Sequence, residues 1–113
     1  MAGRLNRGDV HLCRFAAPSA DEKAKQRPVL ILTRDSAIRH LATVTVAPIT
    51  STIRNVPTEV ILDVDDGMKS RCAVNLHNAV TVSQERLNKR VASLSNERMQ
   101  EVCSALGFSL GCV

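Results

Sequence analysis

Lys25-Gln26-Arg27-Pro28-Val29-Leu30-Ile31-Leu32 is the stretch that decides the fold, because it joins a cationic segment to a fully apolar run. Four apolar residues after a proline are typical of a buried strand, and proline is tolerated at the first position of a strand. A second β-rich segment, Val46-Ala47-Pro48-Ile49-Thr50-Ser51, ends in two hydroxyls. If the two strands are neighbours, the Arg27 guanidinium and those hydroxyls meet at one edge of a small sheet. Such donors suit an anionic phosphodiester.

Short β-rich runs make up most of the remaining pattern. Residues 43–46 alternate with the period of two that is typical of a half-buried strand, and further β-rich runs cover 10–15, 58–62, 72–74 and 79–82. The polar segment 16–26, which contains a proline, is expected to be an exposed loop. The sequence therefore predicts five or six short strands.

A single amphipathic helix is predicted at the end of the chain, with Ser95 as its capping residue. Its apolar positions recur at helical spacing: Met99, Val102, Cys103 and Leu106. We expect the helix to stop near Gly107 or Gly111. The fold class is therefore mainly β with α, a small, strongly bent sheet or barrel of short strands closed by a C-terminal helix.

Length and composition predict one ordinary globular domain. The chain has 113 residues, of which 44% are hydrophobic and 23% charged, and we expect a single domain over residues 1–113. The sequence has no long apolar run and no apolar core of a signal peptide near its start, so we expect a cytoplasmic protein with no membrane partner. Its four cysteines form no CxxC motif, which favours reduced thiols over a disulfide framework or a zinc site. Cys13 and Cys103 fall at apolar-patterned positions.

The net charge of +4 is concentrated in the first part of the chain. Residues 1–40 contain eight Lys and Arg against four acids, whereas residues 41–113 contain seven of each sign. This distribution favours an anionic partner such as a nucleic acid or an acidic peptide, although a solvated basic surface would have the same composition. The only aromatic residues are Phe15 and Phe108, so RNA binding would depend on phosphate contacts, arginine or histidine planes and hydrogen bonds to base edges rather than on stacking against aromatic rings.

Several common catalytic and metal-binding motifs are missing from the sequence. It contains no Gly-rich phosphate loop, no nucleophile elbow and no HExxH. The three histidines, His11, His40 and His77, have no metal-ligand spacing, and each is expected to be a surface or packing residue. The acidic run 63–66 lacks the downstream glutamate of a calcium loop, so a solvated turn fits it better. We therefore expect no metal and no cofactor.

Four motifs follow one another along the chain: Arg7-Gly8-Asp9-Val10, the Lys25-x-Arg27-Pro28 stretch with its apolar run, the segment 46–51, and Thr81-Val82-x-x-x-Arg86-Leu87. In order and spacing this set resembles the MazF/PemK family of toxin endoribonucleases, also called mRNA interferases. Each motif is weak alone, but together they cover nearly the whole chain.

The resemblance implies an SH3-like barrel that forms a homodimer and cuts single-stranded RNA at short sequences without a metal; whether the substrate is mRNA, tRNA or rRNA stays open. It also implies a type II toxin, neutralised by a cognate antitoxin with an acidic segment that lies on the basic face. Matched position by position, Arg27 is the catalytic arginine and Thr50 the catalytic threonine. The residues expected to bind RNA are Lys25, Ser51, His77, Asn78, Glu22 and Arg86.

The chemistry of metal-free RNA cleavage is consistent with these residues. The substrate's own 2′-OH attacks the adjacent phosphorus, which leaves a 2′,3′-cyclic phosphate and a 5′-OH. Arg27 offers a planar fork of donors to the phosphate oxygens, and Thr50 offers one more. Because a guanidinium stays protonated near neutral pH, it is a poor general base. The sequence leaves that role open between His77 and Glu22.

Three places depart from the family's pattern near the positions where its members contact RNA bases. His11 stands where an aromatic residue is common, the loop 19–24 lacks the usual Gly-x-Glu, and His77-Asn78 replaces Asp-Gln. We therefore expect these departures to change the RNA sequence that is cut more than the reaction itself. The alternative function is a non-catalytic binding toxin or adaptor, as in fold-related toxins that inhibit DNA gyrase. The pair Arg27 and Thr50 argues against it, since a pure binder has no need of that pair.

Overall fold

The computed structural model describes residues 4–15 and 25–112. No helix in these two ranges is both long and apolar enough to span a membrane. In chain order the elements are β1 (Asp9–Arg14), β2 (Gln26–Ile31), α1 (Asp35–Ile38), β3 (Thr43–Thr50), β4 (Glu59–Leu62), β5 (Cys72–Asn75), β6 (Val80–Ser83), β7 (Leu87–Ser93) and α2 (Asn96–Leu110).

The seven strands form one antiparallel sheet in the order β4-β5-β3-β2-β1-β7, with β6 paired to β3 off this path. The long strand β3 carries β6 along its first half and β5 along its last two residues, so two strands share one of its edges. The prediction of a mainly β fold with a C-terminal helix is confirmed. Among the described strands β4 and β7 do not pair, so the barrel-like sheet is open rather than closed.

Strand β2 is buried on both faces, which explains its unbroken apolar run. Val29 and Ile31 pack in one hydrophobic cluster, together with Val44 and Val46 of β3. Leu30 packs in the other cluster, which lies beneath α2. All three apolar residues of β2 are fully buried, and each burial stabilises the fold by about 1.5–3 kcal/mol.

Two strand predictions are corrected by the structure. Strand β2 begins at Gln26, not at Pro28, because pairing with β1 continues to the end of the hairpin and sets Arg27 opposite Cys13. The strand β7 was not predicted at all. Its sequence, Leu-Asn-Lys-Arg-Val-Ala-Ser, is mostly polar because it lies at the edge of the sheet, where only Leu87 is fully buried. The predicted loop 16–26 lies mainly outside the described residues.

Helix α2 is capped at both ends by the residues that the sequence indicated. The hydroxyl of Ser95 accepts the Arg98 N–H at 3.2 Å, and Gly111 ends the helix in the left-handed region, at φ 74°. The prediction that Cys103 lies on the apolar face is wrong. The helix turns Val102 to the sheet, and Cys103 is exposed with its sulfur 3.0 Å from an Arg7 guanidinium nitrogen.

The acidic run between β4 and β5 is a turn, as predicted, and its residue Asp66 binds this loop to α2. Asp66 accepts hydrogen bonds from the backbone N–H of Asp63 at 2.9 Å and from the guanidinium of Arg98 at 3.0 Å. Gly67 follows at φ 93°, where an added Cβ would lie 3.0 Å from the Cβ of Ala92 in β7. No cluster of metal-ligating side chains occurs in the described ranges.

We predict that Asp66→Asn destabilises the fold by about 1–2 kcal/mol near neutral pH, because it removes a charged hydrogen-bond acceptor. Burial raises the pKa of Asp66, but hydrogen bonds from Arg98 and the Asp63 backbone, with the charge of Arg98, outweigh it and lower the pKa overall. The contribution is therefore present above the unfolded-state value of about 3.9 and is lost as the pH falls through the lower folded value.

Urea unfolding measures this difference near neutral pH and again in acid. The difference in free energy of unfolding between the wild type and Asp66→Asn should become smaller as the Asp66 carboxyl is protonated. The control is Asp65→Asn, an exposed neighbour, which should change stability little at either pH. A gap of the same size in acid would show that the Asp66 charge does not stabilise the fold.

Candidate functional site

A groove of about 680 Å³ opens where the ends of β2 and β3 face β7 and the loop between β4 and β5. Its floor is formed by core residues such as Ile49, Met68 and Cys72. The polar side chains that line it are Arg27, Thr50, Ser51, Lys69, Ser70, Lys89 and Arg90. The two segments singled out at the start of the sequence therefore contribute to one cavity.

Antiparallel pairing of β2 with β3 brings Arg27 and Thr50 together. The paired positions are Val29 with Pro48 and Ile31 with Val46. Continuing that register by two residues sets Arg27 opposite Thr50. Arg27, Thr50 and Ser51 thus line the same groove, which is consistent with the expectation that a guanidinium and two hydroxyls lie at one edge of the sheet.

The hydroxyl of Thr50 is oriented by its own backbone. Its Oγ1 accepts the N–H of Thr52 at 3.1 Å, in the short turn that follows β3. Because this bond uses a lone pair, the hydroxyl proton stays available for donation to a bound group. Arg27 is exposed at the opposite position, so its donors can also reach a ligand in the groove.

The groove is strongly cationic. Its lining includes four basic residues, Arg27, Lys69, Lys89 and Arg90, and no carboxylate among the residues that the structure describes. A cleft lined by one sign of charge focuses the electric field and raises the local concentration of anions. The arrangement is suited to a polyanion with several phosphates.

Four of the polar lining residues were missed by the sequence analysis: Lys69, Ser70, Lys89 and Arg90. Lys89 and Arg90 were missed because β7 was not predicted as a strand. Lys69 and Ser70 follow the acidic turn and the buried Met68, and their place in the groove depends on tertiary contacts of that loop. The adjacent basic residues Lys89 and Arg90 could have indicated an edge strand, since cationic side chains are common on the edge strands of sheets.

Other predicted site residues lie outside the described lining of the groove. Lys25 precedes β2, and its carbonyl accepts the Phe15 N–H at 2.9 Å. His77 and Asn78 are exposed in a 3₁₀ turn between β5 and β6. The guanidinium of Arg86 donates to the Arg14 carbonyl at 3.4 Å. Glu22 falls outside the described residues.

The Cys72 thiol on the groove floor is not activated as a nucleophile. Burial is the largest cause that raises its pKa, and the charges of Asp63 and Asp66 add to the effect. Burial likewise raises the pKa of Cys13, more than Arg86 and Arg14 lower it. All four cysteines are free, as the sequence predicted.

Comparison with known proteins identifies relatives along nearly the whole chain. A family model described as "PemK-like, MazF-like toxin of type II toxin-antitoxin system" matches residues 6–110. The probable endoribonuclease MazF5 of Mycobacterium tuberculosis is 38% identical over 107 residues, which are 94% of this chain and 93% of that protein.

Solved structures support the same relationship. The Mycobacterium tuberculosis toxin MazF-mt6 superposes with a TM-score of 0.81 at 31% identity, over 93% of this chain and 98% of that one. A mycobacterial endoribonuclease, solved in complex with its cognate antitoxin, gives a TM-score of 0.79 at 27% identity, over 96% and 97% of the two chains.

We predict that iodoacetamide modifies Cys103 and Cys112 in the native protein but not Cys13 or Cys72, because the first two are exposed and the others are buried neutral thiols. Mass spectrometry before and after unfolding counts the modified residues, and all four should react once the chain is unfolded. Modification of Cys72 in the native protein at the rate of Cys112 would contradict its assignment as inert.

Proposed function

The chain belongs to the PemK-like, MazF-like family of toxins of type II toxin–antitoxin systems, and from this premise we propose that it is an endoribonuclease that cuts single-stranded RNA. The observation that carries the proposal is that Arg27 and Thr50 line one cationic groove whose described lining has no carboxylate.

The proposed reaction is an internal transesterification. The 2′-oxygen forms a new bond to the adjacent phosphorus while the bond to the 5′-oxygen breaks. The products are a 2′,3′-cyclic phosphate and a 5′-OH end, and the proton of the 2′-OH is balanced by one delivered to the leaving oxygen. Arg27 stabilises the charge that develops on the phosphorane oxygens, and Thr50 donates one more hydrogen bond.

The 2′-OH proton needs an acceptor other than Arg27, which stays protonated. We propose two candidates for this general base, His77 and Glu22. The variants His77→Asn and Glu22→Gln separate them, since loss of the base lowers kcat and leaves KM nearly unchanged. Lys25, Ser51, Asn78 and Arg86 are proposed as further contacts to RNA, with Asn78 able to hydrogen-bond a base edge.

The proposed partners follow from the family and from the charge of the groove. A cognate antitoxin with an acidic segment would cover the cationic groove and exclude RNA. The chain is proposed to act as a homodimer, in the cytoplasm where its RNA substrate, mRNA, tRNA or rRNA, is found. The alternative of a non-catalytic binding module is disfavoured, because relatives such as MazF5 and MazF2 of Mycobacterium tuberculosis are named as probable endoribonucleases.

We predict that Arg27→Ala lowers kcat about 100-fold or more on a long single-stranded RNA, because a preorganised charged donor is lost from the transition state. Cleavage by the wild type should persist in EDTA and leave cyclic phosphate and 5′-OH ends. The control Arg39→Ala removes an exposed arginine that does not line the groove, and it should cut normally. Undiminished cutting by Arg27→Ala would refute the assignment of Arg27.

A second prediction isolates the hydroxyl of Thr50. Thr50→Val keeps the shape of the side chain and removes its donor, so kcat should fall about 10- to 100-fold. Thr50→Ser keeps a hydroxyl and should retain most of the activity. Single-turnover cleavage measures both variants, and equal losses in the two would mean that packing, not hydrogen bonding, accounts for the role of Thr50.

A further inference from the structure

Asp9 is a buried carboxylate at the start of β1, beside the groove but outside its lining. Its Oδ1 accepts the Ser93 hydroxyl at 2.6 Å, across the pairing of β1 with β7. Its Oδ2 has no hydrogen-bond partner in the described part of the chain and lies 4.0 Å from Nη1 of Arg90. One oxygen is thus tied to the sheet, and the other lies next to a cation.

Arg90 has the opposite exposure. Its side chain is 62% exposed, and it belongs to the lining of the groove. A guanidinium has five N–H donors, so a contact with one carboxylate oxygen leaves most of them for another ligand. In this ion pair, the carboxylate of Asp9 is buried and fixed, whereas the guanidinium of Arg90 is accessible from the groove.

The backbone of β7 is fixed on both sides of Arg90. The Nδ1 of buried His11 lies 2.8 Å from the Asn88 carbonyl, two residues before Arg90. His11 is also the β1 residue paired with Arg90, and Ser93 is held by Asp9 three residues further on. The backbone around Arg90 is thus anchored at Asn88 and Ser93, and the ion pair with Asp9 is the further restraint on the Arg90 guanidinium.

Building on the proposed endoribonuclease function, we propose that Asp9 is a positioning residue that holds the Arg90 guanidinium at the wall of the groove, where it binds an RNA phosphate that flanks the scissile one. Burying an ionised carboxylate is costly unless a cation compensates it, and Arg90 is the basic side chain recorded in an ion pair with Asp9. Arg27 and Thr50 act on the reacting phosphate, whereas Arg90 contributes to substrate affinity.

Simple electrostatics and positioning predict opposite effects of removing the Asp9 charge. If Asp9 acted only through its charge, neutralising it would make the groove more positive and tighten RNA binding. If Asp9 holds Arg90 in place, neutralising it frees the guanidinium and weakens binding. Asp9→Asn keeps the size of the side chain and an oxygen that can accept the Ser93 hydroxyl, so it suits this comparison.

The experiment measures the affinity of a 2′-O-methyl oligoribonucleotide of mixed sequence, which cannot be cut because it has no free 2′-OH. Asp9→Asn and Arg90→Ala should each raise Kd about fivefold, and the double variant should be no weaker than Arg90→Ala alone. The slope of log affinity against log salt should fall by about 0.7 in both single variants. Arg39→Ala, outside the groove, should keep the wild-type affinity and slope.

Cleavage assays complete the test. Asp9→Asn and Arg90→Ala should raise KM with kcat nearly unchanged, unlike Arg27→Ala.

Tighter binding by Asp9→Asn, or additive losses in the double variant, would overturn the positioning role. If Asp9→Asn fails to fold, Arg90→Ala still tests the phosphate contact on which the proposal rests, and an unchanged Kd and salt slope in that variant would overturn it. Failure of the wild type to cut RNA would refute the proposed function, whereas the binding arms test Asp9 separately.

Discussion

The antiparallel register between β2 and β3 is the constraint on which the site depends. The pairing of Val29 with Pro48, continued by two residues, puts Arg27 opposite Thr50, and a slip of one residue would send every side chain of β2 to the other face of the sheet. Hydrogen bonds just beyond β2 hold this register: the Leu32 N–H donates to the Thr45 carbonyl at 2.9 Å, and the Thr45 N–H donates to the Thr33 hydroxyl at 2.7 Å. The register on which the site depends is therefore fixed within the buried part of the two strands.

The second wall of the groove is held by different means. The loop between β4 and β5 is held by the burial of Met68 in the core, by the ion pair of Asp66 with Arg98 and by the close approach of Gly67 to Ala92. Lys69 and Ser70 follow directly and line the groove. One wall thus rests on β pairing, and the other on a loop held by one buried apolar side chain and one ion pair.

The elements that could be predicted are those that are indicated by residues close together in the sequence. The apolar run of β2 and the capping of α2 by Ser95 and Gly111 lie in short stretches of sequence, and so does the hydroxyl end of β3. Strand β7 could not be predicted in the same way, because its residues are polar and its pairing with β1 joins positions far apart in the chain. The exposure of Cys103 depends on the rotation of α2, which periodicity alone does not set.

Strand β7 also has a consequence for the behaviour of the protein in concentrated solution. It pairs with β1 on one side, and within the described chain its other edge meets no strand. Such an edge can recruit strands of other molecules into a growing sheet, and charged side chains are the usual protection against this. Lys89 and Arg90 lie on this strand, so the residues that line the groove also keep the edge from aggregating. The same two positions therefore determine both the charge of this wall of the groove and the protection of the strand edge.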